Sequence, residues 1–228
     1  MNLHWLEQSE SDVPSGDGWL SGAELALLER LRIPKRRADW RVGRWTAKCA
    51  IAAYLQLSLN SEGLAVIEVR PAASGAPEAF IDGERGHVSI SISHSHGVGF
   101  CVVAAAGADV GCDVERVAPH SDAFLCDYFT AEEQEFAGKI ADRDRDMALT
   151  LLWSAKESTL KALRCGLRSD TRSVTVVASQ VPLSRANEWL PLEVWSDSGR
   201  TFHGWWRKTG GFVWTLMANG SSLPPVAL

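Results

Sequence analysis

Asp113 and Glu115 stand two residues apart in Gly111-Cys112-Asp113-Val114-Glu115. On a strand, side chains at i and i+2 share a face, so both carboxylates project the same way. Two such groups repel unless a cation lies between them, and hard oxygen ligands favour Mg²⁺ or Ca²⁺ over zinc. A solvated strand edge would tolerate the pair equally well. The surrounding stretch GFCVVAAAGADVGCDV (99–114) is, however, too apolar for an outer strand.

A second group lies in LLWSAKESTLKAL (151–163). On a helical wheel Leu149, Leu152, Trp153, Leu160 and Leu163 form one narrow apolar stripe. Lys156 falls near its middle, with Glu157 and Lys161 along one edge. Glu157 and Lys161 are i, i+4 and meet on one side of the helix, a spacing that also occurs in surface ion pairs. Lys156 does not fit a surface reading, because an ammonium on a buried face needs an anion. The anion expected for it is a phosphate-bearing ligand or the carboxylate shell of a bound metal; snorkelling along the helix edge is the alternative.

A third group is KRRADWRVGRWTAK (35–48), where Arg37, Arg41, Arg44 and Lys48 follow helical spacing and make one basic stripe. The stripe is either a solvated helix face or a bed for a polyanion, and arginine's planar fork suits phosphate. In SISHSHG (91–97), His94 is expected to donate a hydrogen bond to a phosphate oxygen and His96 to lie at the surface. No GxSxG elbow, P-loop, GxGxxG or HExxH occurs, which weighs against the hydrolase, triphosphatase and zinc-protease classes those motifs serve.

These groups need elements to position them. Ser21-Gly22-Ala23-Glu24 reads as a capping box opening a short helix, and Thr130 with Glu133 reads as another. A longer helix is expected from about Arg37 into AKCAIAAYL, and one more carries 151–163. HVSISISH (87–94) alternates as a strand does, GFCVVAAA (99–106) suits a central strand buried on both faces, and VGCDVE makes a third. After Ser173 the stretches SVTVVAS, LEVWS, TFHGWWRK and FVWTLMA read as strands, and SSLPPVAL as a loose tail. The fold class expected is α+β.

The chain has 228 residues and a formal net charge of −5, so wholesale nucleic-acid binding is not expected, and the basic stripe is a local feature. Five cysteines without a CxxC pair, no basic n-region before an apolar run, and no apolar stretch of roughly 20 residues point to a cytoplasmic protein without a membrane span.

Taken together, GAP (75–77), SISHS (91–95), GCDVE (111–115), YFTAEE (128–133) and WSAKESTLKA (153–162) resemble the motifs of the 4′-phosphopantetheinyl transferases, in the larger monomeric type that activates polyketide and nonribosomal peptide synthetases. The resemblance spans roughly residues 36 to 163. It implies two similar α+β halves, here 1–106 and 107–228, with the active site in the cleft between them. It also implies Mg²⁺-dependent (or Mn²⁺-dependent) transfer of phosphopantetheine from coenzyme A to a serine of an apo acyl or peptidyl carrier protein, releasing adenosine 3′,5′-bisphosphate. Carried onto this chain, Asp113, Glu115 and Glu157 become metal ligands and Glu157 the base for the serine. Lys161 contacts the transferring phosphate, Arg36, Arg44 and His94 grip coenzyme A, and Lys156 faces the pantetheine or phosphate part. The chain departs from the pattern at Ala76, where many relatives carry a basic residue; Arg70 or Arg85 could supply that charge. A catalytically silent module that binds coenzyme A or docks on a synthase is the alternative from another class.

Overall fold

The computed structural model describes residues 1–177 and 187–228, so the end of the strand expected over 173–179 lies outside the described residues. In chain order the elements are β1 (His4–Ser9), α1 (Gly22–Arg30), α2 (Pro34–Leu55), α3 (Ser61–Ala65), β2 (Ile67–Pro71), β3 (Pro77–Ile81), β4 (Glu84–Arg85), β5 (Val88–Ser95), β6 (Val98–Ala105), β7 (Val110–Arg116), α4 (Asp122–Tyr128), α5 (Ala131–Lys139), α6 (Asp142–Ala162), β8 (Val174–Val176), β9 (Leu190–Ser196), β10 (Thr201–Thr209), β11 (Phe212–Asn219) and β12 (Val226–Ala227). The class is α+β. The chain divides into one unit of Asn2–Ala108 with Val226–Leu228 and another of Asp109–Pro225 with Met1.

In the first unit the sheet order is β12-β1-β6-β5, and β2-β3-β4 form a separate sheet. β6 is the central strand that its continuous apolar run implied, buried from Gly99 through Ala104. Helix α2 buries Val42, Ala47, Ala50, Ile51 and Ala52 and packs on β6, β1 and β5. It starts at Pro34, earlier than Arg37, because proline is well suited to the first helical turn. The tail is not loose: Val226 and Leu228 donate backbone hydrogen bonds to Leu3 and Trp5 at 2.9 Å, adding β12 parallel to β1. An edge strand with open backbone groups supplies the reason.

In the second unit one sheet runs β7-β11-β10-β9-β8, with β7 antiparallel to β11. Helix α6 lies on it, burying Met147, Leu149, Leu151, Leu152, Ala155 and Leu160 in a core with Val194, Phe202, Trp206, Val213 and Met217. Thr130 caps α5 and Glu133 closes the box, as the sequence indicates. Helix α6 ends where Arg164 takes a left-handed conformation, with φ of 58°.

Candidate active site

The glycine of GCDVE sets how closely α6 can approach β7. A Cβ at Gly111 would overlap the carbonyl oxygen of Ser158 and stand 2.7 Å from the Ala162 nitrogen. Only glycine lets the helix backbone lie this near the strand, and that contact brings the Glu157–Lys161 edge of α6 to Asp113. Asp113 is opposite Thr215 on β11. The Thr215 hydroxyl, fully buried, donates to the Ser154 carbonyl at 3.0 Å and lies 3.1 Å from the Ser158 hydroxyl, so α6 is fixed to two adjacent strands.

At this junction the Lys161 ammonium donates to Asp113 Oδ1 at 2.7 Å and to the Cys112 carbonyl at 3.1 Å, and stands 3.6 Å from Glu157 Oε2. Glu115 shares the face of Asp113 by strand alternation and is half-buried. Burial pushes the Glu157 carboxyl up, the Asp113 charge adds to it, and Lys161 opposes both; the result is about 7. Burial works against the Lys161 ammonium, but Asp113 and Glu157 outweigh it and hold its pKa above the ordinary lysine range.

Among the described residues no group of three or more histidine, cysteine, aspartate or glutamate side chains is gathered closely enough to hold a metal ion. Among the described residues, Asp113 and Glu157 both lie beside the ammonium of Lys161. Their chemistry fits a hard divalent ion, since the donors are carboxylate oxygens and the place between them already stabilises positive charge.

Lys156 is a correction. It is fully buried, and its anion is internal: Glu133 Oε2 lies 2.7 Å from Nζ, and the carbonyls of Thr171 and Val174 accept at 3.0 and 2.5 Å. With three acceptors taken, the ammonium has no place for a ligand phosphate or pantetheine. Burial lowers its pKa, partly offset by Glu133. Glu133 uses its second oxygen to accept the Val176 amide at 2.8 Å, so one carboxylate joins the start of α5, the middle of α6 and strand β8. Reading the sequence recognised Glu133 as a capping residue and missed it as this anchor.

The first unit holds the same arrangement. Glu24, in the capping box of α1, lies 2.5 Å from Lys48 Nζ on α2 and accepts the Val69 amide at 3.2 Å, while Lys48 donates to the Trp19 and Leu64 carbonyls at 2.8 and 3.1 Å. A recurring spacing was the available signal: Glu24 precedes Lys48 by 24 residues and Glu133 precedes Lys156 by 23.

Lys48 therefore belongs to the core and leaves the expected basic stripe. The rest of the stripe is also engaged: Arg37 donates to the Leu28 carbonyl at 3.0 Å, and Arg41 pairs with Asp17 and bonds the Pro14 carbonyl. Arg44 is 12% exposed, donates to the Val69 carbonyl at 2.8 Å and stacks on Trp40 at 4.8 Å. Arg36 is exposed on the first turns of α2, and His94 is exposed near the end of β5. A Cβ at Gly43 would stand 3.1 Å from the His94 ring, so α2 crosses directly beside it. Asp113, Glu157 and Lys161 thus come together in one unit, whereas Arg36, Arg44 and His94 belong to the other. Near Ala76, Arg70 pairs with Glu68 and Arg85 with Glu78 at 2.6 Å.

Residues 109–201 match the family model ACPS, the 4′-phosphopantetheinyl transferase superfamily. The match contains Asp113, Glu115, Glu133, Lys156, Glu157 and Lys161. No curated protein matches the chain.

Proposed function

We propose that the chain transfers 4′-phosphopantetheine from coenzyme A to a serine of an apo acyl or peptidyl carrier protein, releasing adenosine 3′,5′-bisphosphate. One observation carries this reading: within the segment matched to the superfamily, Asp113 and Glu157 converge on the Lys161 ammonium at the contact of β7 with α6. In the proposed reaction the serine oxygen bonds to the β-phosphorus of coenzyme A's diphosphate. The bond from that phosphorus to the bridging oxygen breaks, and the serine proton passes to Glu157. Glu157, 3.6 Å from the Lys161 ammonium on α6, would be the carboxylate placed to take that proton.

Asp113, Glu115 and Glu157 would hold a divalent ion, Mg²⁺ or Mn²⁺, which when bound neutralises charge on the diphosphate. Lys161 would contact the phosphate being transferred. Arg36 and His94, both exposed, would grip coenzyme A. Arg44 would act mainly by holding β2 in place through the Val69 carbonyl. The first half, 1–106, would serve coenzyme A binding and the second, 107–228, the chemistry. Five free cysteines favour a reducing cytoplasm, and no helix among the described residues is long and apolar enough to cross a membrane. The synthases served would be those of polyketide or nonribosomal peptide assembly, with the enzyme a monomer.

Incubating the protein with coenzyme A, Mg²⁺ and a panel of apo carriers should add the mass of phosphopantetheine to at least one carrier. Coenzyme A binding without any mass gain would favour the silent binding module.

A further inference from the structure

Hydroxyl side chains surround the turn of α6 that carries Glu157, and all of them are fully buried: Ser154, Ser158 and Thr159 on the helix and Thr215 on β11. Each hydroxyl holds a single proton. Thr215 gives its proton to the Ser154 carbonyl at 3.0 Å and accepts that of the Ser154 hydroxyl at 2.9 Å, and its oxygen stands 3.1 Å from the Ser158 hydroxyl. Ser158 and Thr159 in turn donate to the Ala155 carbonyl at 3.0 and 2.8 Å. These bonds hold the helix on both sides of Glu157. Thr215 is also the residue opposite Asp113 across β7 and β11, so their side chains share one face of the sheet. One threonine therefore stands beside Asp113 and is bonded to the turn that bears Glu157.

Filling the core does not require this hydroxyl. Thr215 lies in the buried run Val213–Ala218, where a valine of the same shape would fit. The first unit supplies a comparison. Thr46 stands two residues before Lys48 as Ser154 stands two before Lys156. The strand residue against Thr46 is Gly99 of β6, where a Cβ would overlap Thr46 Oγ1, and the Thr46 hydroxyl donates to the Val42 carbonyl of its own helix at 2.7 Å. The residue after that lysine is Cys49 rather than a carboxylate. The long helix is thus seated against a glycine where no carboxylate has to be placed, and against a donating threonine where Glu157 follows the lysine.

We infer that Thr215 is a positioning residue of the candidate site: its hydroxyl pins the Ser154–Thr159 turn of α6 to β11 and so sets where the Glu157 carboxyl stands relative to Asp113. The inference rests on the transferase reading. Fully buried, Thr215 touches neither coenzyme A nor a carrier and acts through Glu157. Displacing a reacting group by roughly 1 Å can cost about 100-fold in rate, while groups that only bind substrate are left as they were.

The test compares Thr215→Val and Thr215→Ser in the whole chain, on a carrier that the unsubstituted protein modifies. Thr215→Val should lower kcat about tenfold with KM for coenzyme A changed less than about twofold, and Thr215→Ser, which keeps the hydroxyl, should recover most of the rate. An unsubstituted kcat in Thr215→Val, or equal losses in the two variants, overturns the inference. Amide exchange gives a readout apart from activity. Protection at Glu157–Lys161 should fall several-fold in Thr215→Val and return in Thr215→Ser, while Met147–Leu152 keep theirs. Unchanged protection at Glu157–Lys161, or a loss spread evenly along α6, overturns it as well. Failure of the unsubstituted protein to modify any carrier overturns the transferase reading instead, and the exchange measurement then still decides whether the Thr215 hydroxyl fixes this turn.

Discussion

Glu157 sits beside a carboxylate and an ammonium on a largely buried edge of α6, and its protonation links the site to stability. Its carboxyl titrates near 7 in the folded protein, against the ordinary glutamate value of 4.5 in an unfolded chain. The folded state therefore keeps a proton that the unfolded state has released between those values. The sign follows: this group's contribution is fully present below about pH 4.5 and is lost as pH rises through about 7, on the order of 3 kcal/mol. Urea unfolding in chelator should thus give a lower stability at pH 8 than at pH 5.5. Glu157→Gln, which cannot ionise, should flatten that slope. On activity, Asp113→Ala should reduce carrier modification at least about 100-fold while circular dichroism still reports a folded chain, because Asp113 supplies charge that the site cannot replace. Wild-type turnover in that variant would contradict the role assigned to β7.

Helices α5 and α6 are held in register by one buried ion pair, and this contact also marks how far the sequence could be read. The apolar stripe placed Lys156 correctly on the buried side of α6, and the capping box placed Glu133 correctly at the start of α5. Neither pattern indicates that the two meet, because a helical wheel carries no information about which chain segment covers its apolar face. The acidic pair and the Glu157–Lys161 edge were legible because i, i+2 and i, i+4 spacings are local. The basic stripe misled for the same reason as Lys156: spacing puts Arg37, Arg41, Arg44 and Lys48 on one side of α2, but the carbonyls and carboxylates that occupy them come from other segments. Replacing Lys156 by methionine should leave Glu133 buried and unpaired at a cost of about 3–5 kcal/mol. Adding Glu133→Gln should recover much of that loss, so a double-mutant cycle by chemical unfolding will show strong coupling. Gly111→Ala acts on the same helix from the other side. Its methyl group would collide with the Ser158 carbonyl and push α6 off β7, costing about 2–3 kcal/mol. Carrier modification should fall further than Tm does, since the displaced turn carries Glu157.

On the scale of the whole chain, the two ends are sewn into different units. Met1 donates from its amino group to the Ser221 carbonyl at 3.1 Å and accepts from Leu223, within the unit of Asp109–Pro225. Val226–Leu228 instead close the edge of β1 in the unit of Asn2–Ala108, with Leu228 packed against that unit's core. Pro224 and Pro225, which donate no backbone hydrogen bond, stand where the chain passes from one set of partners to the other. Removing Val226–Leu228 takes away two backbone hydrogen bonds to Leu3 and Trp5 and reopens a strand edge. At a net value of about 1 kcal/mol per bond, the loss should be about 2 kcal/mol, and it should be local. Amide exchange should therefore speed up in β1 and the paired part of β6, while amides of β7, α6 and β11 keep their protection. Uniform loss of protection across all five elements would instead mean that the chain unfolds as one cooperative body and that the last three residues stabilise all of it.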